Sequence, residues 1–108
     1  MPDPRALLLS LALTLPAATG PALADISAPR AAELEHMVIQ DCGSCHGLTL
    51  KGGLGSPLTP DALAHAEPEG LAVIILDGVP DTAMPPWRPL LSEEEALWIA
   101  EYLKKVDP

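Results

Sequence analysis

Both cysteines of the chain fall in one pentapeptide, Cys42-Gly43-Ser44-Cys45-His46, with an imidazole directly behind the second thiol. Two thiols three positions apart, at the end of a helix, can reach the two vinyl groups along one edge of a porphyrin. The next residue then points its ring at the iron, which is why C-x-x-C-H is the attachment signature of c-type haem. Three plainer readings compete. A structural disulfide accounts for the cysteines but not for the histidine. A thioredoxin-like redox pair needs a βαβ context that the chain lacks. A zinc site would need Cys42, Cys45 and His46 together with a distant His36 or His65. Composition favours haem: among 108 residues there is no Phe, and only Trp87, Trp98 and Tyr102 are aromatic. A chain this short buries only about 60–65% of its unfolded surface, so a large bound ring would complete a core that the side chains leave thin.

The first 24 residues read as an address. Arg5 precedes an apolar run from Ala6 to Leu15, and Ala22-Leu23-Ala24 has the small-x-small pattern of a signal-peptidase site. The expected organisation is therefore a signal peptide over 1–24 and a single domain over 25–108, with cleavage before Asp25. The apolar run is far shorter than the roughly 20 residues that span a bilayer, so no membrane anchor is expected. Asp3 and Arg5 cancel, and the exported domain keeps the formal net charge of −9. Such an acidic chain lacks the clustered cations that displace phosphate counterions, which argues against nucleic acid as a partner. It also argues against docking on anionic lipid.

The exported part reads as short helices joined by Gly/Pro loops, an all-α class. Pro29 suits the first turn of a helix running through RAAELEHMVIQD to the cysteines, with Leu34, Val38 and Cys42 on one face. Thr59 and Pro60 predict a short helix; Pro68 to Asp77 predicts another, stopped by Gly78. Ser92 and Glu95 form a capping box that opens the last helix. Its inner face is Ala96, Ile99, Ala100 and Leu103, with Lys104 and Lys105 at its negative end.

A haem iron held by His46 has a sixth position, and Met84 in TAMPPW is the candidate for it. Pro85 restricts Met84 to extended backbone, and Pro86 stiffens the loop further. His/Met ligation raises the reduction potential relative to two imidazoles. Alternatives are Met84 as a core filler or His65 as the ligand; Met37 reads as core and His36 as solvated. Pro57 offers a carbonyl that can accept from the His46 ring. Trp87 and Arg88 are candidates for the haem propionates, or else a core ring and a surface charge. Lys51 reads as solvated.

CGSCHG, AMPPW and IAEYLKK resemble class I cytochromes c across nearly all of residues 25–108. HMVIQDCGSCHGLTLKGGLG and MPPWRPLLSEEEA resemble, more narrowly, the small periplasmic cytochrome c-55X group encoded beside cytochrome cd1 nitrite reductase. The resemblance implies first and last helices that cross with haem between them, Leu34 and Val38 facing Tyr102 and Leu103. It implies a monomeric monohaem electron carrier of the periplasm rather than an enzyme. One haem c would be bound through Cys42 and Cys45, with His46 and Met84 on iron. The implied partners are nitrite reductase, as electron acceptor, or the proteins that mature its d1-type haem. A small haem peroxidase or a gas-binding sensor is the catalytic alternative.

Overall fold

The computed structural model describes residues 10–16 and 25–107, so the expected leader lies largely outside the described residues. The described residues form helices and no strands: α1 (Ala28–Met37), a π-helical turn (Val38–Cys42), α2 (Gly43–His46), α3 (Pro68–Asp77) and α4 (Glu93–Leu103). None of these helices is long and apolar enough to cross a membrane.

α1 starts as its residues dictate. The Ser27 hydroxyl accepts from the Arg30 N–H at 3.2 Å, and Pro29 occupies the first turn, where a missing N–H costs nothing. The expected single helix into the cysteines is interrupted, however. From Val38 to Cys42 the backbone widens into a π turn before α2 resumes α geometry. π turns are scarce and gather at functional sites, and no residue type announces one. Leu34 and Val38 are fully buried on the inner side, and Cys42 is half-buried.

α3 follows its sequence signals, from Pro68 in the first turn to Gly78 at the end. Gly78 lies at φ 66° and ψ −171°, a region that essentially only glycine enters. α4 opens with the complete capping box: the Glu95 N–H donates to the Ser92 hydroxyl, and the Ser92 N–H to the Glu95 carboxylate. Its expected inner face is the observed one, with Ala96, Ile99, Ala100 and Leu103 all buried. The helix packs chiefly along α3 and also meets α1. One core results, made of Leu34, Val38, Leu50, Ala72, Leu76, Leu91, Ala96, Ile99, Ala100 and Leu103. Tyr102 packs at its edge and stacks on Trp98, ring centroids 5.2 Å apart and planes 8° from parallel.

A second expectation also fails locally. The segment after Thr59 is a run of turns, not a helix. Thr59 does cap, accepting from the Ala62 N–H at 3.3 Å, but one capped turn does not overcome the cost of helix nucleation. The carbonyls of this segment turn instead to Lys104, whose ammonium donates to Leu63 at 2.8 Å and also to Ala66. Lys104 therefore ties the 59–66 segment to the end of α4, beyond its expected role as a charge at a helix terminus.

Glu95 also joins two helices. One carboxylate oxygen accepts from Ser92 and the other pairs with Arg30 of α1. The Arg30 hydrogen bond, followed by the Ser92 N–H, holds the Glu95 carboxyl below its ordinary value of 4.5. A depressed folded-state pKa contributes stability above the unfolded value, and this is lost as pH falls through the folded one. Glu95→Gln should thus cost about 1 kcal/mol at neutral pH. Urea titrations at pH 7 and pH 3 check this: the difference from wild type should shrink at the lower pH.

Candidate haem-attachment site

The π turn delivers Cys42 to the start of α2, and this short helix carries Cys45 and ends on His46. Burial, with Asp41 adding to it, pushes the Cys42 thiol up to about 11. The two cysteines are separate thiols, each half-buried. After His46 the chain reverses at Gly47 (φ 92°) and wraps back over the histidine. Two bonds close this collar: the Gly52 N–H donates to the His46 carbonyl at 2.8 Å, and the Gly55 N–H to the Cys45 carbonyl at 2.8 Å. Leu50 anchors it in the core, fully buried despite a left-handed φ of 59°.

The collar fixes the imidazole. His46 Nδ1 lies 2.7 Å from the Ser56 carbonyl oxygen. A carbonyl can only accept, so Nδ1 carries the proton and Nε2 keeps its lone pair for a metal. The acceptor is thus Ser56 and not Pro57, as the sequence suggested. The proline acts one step removed, since the residue before a proline is held to extended backbone. Gly55 lies against the ring: a Cβ there would fall 2.6 Å from both Nδ1 and Cε1. No group of three or more His, Cys, Asp or Glu that could hold a metal ion occurs among the described residues, so the zinc alternative with His36 or His65 is not assembled.

Met84 is half-buried in a second loop. The Thr82 hydroxyl donates to the Val79 carbonyl at 2.7 Å and accepts from the Met84 N–H at 3.3 Å. Beyond Met84 the chain returns to α3, where the Trp87 and Arg88 N–H groups donate to the Ile75 and Leu76 carbonyls, each at 3.1 Å. These are carbonyls that a helix end leaves without partners. Arg88 pairs with Asp77 at the end of α3 through Nε (2.9 Å) and Nη2 (2.7 Å). Trp87 packs against the core.

Residues 29–103 match the family described as Cytochrome C oxidase, cbb3-type, subunit III. Cytochrome c55X of Paracoccus denitrificans (strain Pd 1222) is 56% identical over 90% of this chain and 95% of its own. The chain belongs to the cytochrome c55X group of c-type cytochromes. Among solved structures, the c-type cytochrome NirC matches with TM-score 0.71 and 51% identity, over 72% of this chain and 92% of that one. Dihydro-heme d1 dehydrogenase NirN, in complex with DHE, matches with TM-score 0.62 and 32% identity, over 68% of this chain but only 16% of that one. The first matches share this chain's small size; the last aligns with a fraction of a larger protein.

Membership of this cytochrome group implies haem c, and the residues present fit it. Two thiols precede a histidine whose Nδ1 is engaged and whose Nε2 is available. A glycine leaves room for the ring where any side chain would collide. α3 is apolar around most of its circumference, yet it buries only Ala72 and Leu76, leaving Val73 and Ile74 exposed at 55% and 46%. Leu48 and Leu54, both within the collar, are exposed too.

Proposed function

We propose that this protein is an exported monohaem electron carrier, with residues 1–24 as its removable leader and 25–108 as its working domain. Cys42 and Cys45 would hold the haem by thioethers, and His46 and Met84 would hold its iron. The observation that carries this reading is the His46–Ser56 bond with Gly55 against the ring. When bound, the haem supplies a one-electron ferric/ferrous couple. The chain's part is to keep that couple from reorganising. The Ser56 carbonyl holds the Nδ1 proton and so the orientation of the imidazole, and raises the basicity of Nε2. Pro85 and Pro86 limit how far the Met84 thioether can move. If His46 and Met84 both held the iron from stiff loops, no place would be left for a substrate, which favours a carrier over a peroxidase or gas sensor.

Met84→Ala tests that distinction. The reduced variant should bind carbon monoxide readily while reduced wild type refuses it, and its midpoint potential should fall. Rapid carbon monoxide binding by wild type would favour the catalytic alternative.

The likeness to the cytochrome c55X group supports a periplasmic role in denitrification, with cytochrome cd1 nitrite reductase as acceptor. The similarity to part of dihydro-heme d1 dehydrogenase NirN favours a second reading, in which the carrier accepts electrons during maturation of the d1-type haem. The net charge of −9 suits a basic patch on either partner, and such steering weakens with salt. Mixing the reduced protein anaerobically with oxidised nitrite reductase and nitrite separates the two roles. Fast, saturable reoxidation supports donation. A haem that stays reduced removes the donor reading and leaves maturation.

A further inference from the structure

We infer that Gly78 is a positioning residue for Met84 and not only the residue that ends α3. This rests on the reading of Met84 as an iron ligand. The Gly78 N–H donates to the Ile74 carbonyl at 2.9 Å, as at many helix ends. A helix end does not explain what presses on it from the other side. A Cβ at Gly78 would lie 2.7 Å from the Met84 carbonyl oxygen, 2.7 Å from the Pro85 carbonyl carbon and 2.8 Å from the Pro86 nitrogen. All three are backbone atoms, and two prolines fix φ in the same stretch, so no flexible side chain can swing aside.

The loop is fastened on both sides of this contact. The Val79 N–H donates to the Met84 carbonyl at 3.2 Å, and the Trp87 and Arg88 N–H groups return to α3. The Asp77–Arg88 ion pair closes the far end, but an exposed pair contributes little alone. The close backbone approach at Gly78 therefore sets how near to the end of α3 the Met84 backbone can sit. Any side chain at 78 must push that backbone away and must also enter a region of φ and ψ that only glycine accepts.

The test uses the haem-loaded full chain with Gly78→Ala, and with Ile99→Val as a core change remote in sequence from the loop. The weak long-wavelength charge-transfer band of sulfur-bound ferric haem is followed against pH, together with midpoint potential and global stability. Gly78→Ala should shift the balance from sulfur-bound to sulfur-detached haem by about tenfold or more, equivalent to about 1.4 kcal/mol per factor of ten. The potential should drop, while helix content and haem attachment persist. Ile99→Val should lose stability and keep the wild-type band and pH profile. A Gly78→Ala protein that keeps the wild-type profile overturns the proposal, as does one whose loss is matched by Ile99→Val. Should Gly78→Ala fail to fold, Pro86→Gly carries the test: it loosens the segment packed on Gly78, and a wild-type profile there is equally fatal. Wild type itself separates the two layers of argument. If it lacks the band, the ligand reading of Met84 fails and the proposal with it. If it has the band and the variants keep it, only the role of Gly78 fails.

Discussion

Replacing Cys42 and Cys45 by Ser should leave a chain that does not fold cooperatively at room temperature. Among the described residues the buried core holds ten side chains; three are alanines and none is aromatic. Burying a Leu, Ile or Val contributes about 1.5–3 kcal/mol, against roughly 1–2 kcal/mol per residue of backbone entropy lost on folding. Large apolar side chains meanwhile stay exposed, Leu54 at 92% and Val73 and Ile74 near half. A covalently held ring that covered part of the apolar surface near the cysteines would add several kcal/mol, a large share of the 5–15 kcal/mol that separates folded from unfolded domains. Far-UV circular dichroism and dye binding check this. The expected result is a spectrum with most helix lost and a strong dye signal. A sharp thermal transition with native helix content in the double Ser variant would show that the polypeptide core suffices.

Gly55→Ala is the second change with a large expected effect, although it adds a single methyl group. The new Cβ would stand 2.6 Å from two atoms of the His46 ring and 3.1 Å from a third. Either the ring turns and leaves the Ser56 carbonyl, or the collar opens and breaks the Gly55–Cys45 bond. A partly buried donor or acceptor left without its partner costs about 1–3 kcal/mol, and a histidine without its outer hydrogen bond is a weaker ligand. The folded haem protein should therefore melt several degrees lower and show a shifted midpoint potential. Two controls sharpen the result. Ser56→Ala keeps the backbone carbonyl and should leave the potential unchanged. Gly70→Ala, with nothing within 4 Å of the new Cβ, should stabilise α3 by about 0.5–1 kcal/mol. A Gly55→Ala protein with wild-type potential and melting temperature would mean that the collar yields freely.

What could be read from the sequence follows the range over which each signal acts. Pro68 and Gly78 bound α3, and Ser92 with Glu95 opens α4, because caps are contacts between residues three or four apart. The inner face of α4 could be read for the same reason. Local signals carried less far where the deciding partner is distant. Thr59 caps a turn as expected, but Lys104, remote in sequence, draws off the carbonyls that a helix would have used. Nothing in the sequence says that the chain folds back to place Arg88 on Asp77. At the site, the pentapeptide announced its own chemistry, whereas the acceptor for His46 was misplaced by one residue. All carbonyls are chemically alike; only the closure of the collar, through Gly52 and Gly55, chooses Ser56. The Ser-Pro dipeptide was the available clue, pointing to the residue before the proline.

The π turn has a consequence for length variation in this chain. It accommodates one residue more than an α turn would between Val38 and Cys42. Deleting one residue there could restore an unbroken α-helix, locally the better hydrogen-bonded form, and because the wide turn absorbs that extra residue, everything downstream would keep nearly the same facing about the helix axis. The cysteine pair would then keep its place relative to Leu34 and Val38, which anchor the helix in the core. An insertion there, or a second deletion, would instead turn the pair by roughly 100°, so a single deletion between Val38 and Cys42 should be tolerated and an insertion rejected. A scan of single deletions and insertions scored by colour, since only chains with attached haem are red, would show that difference.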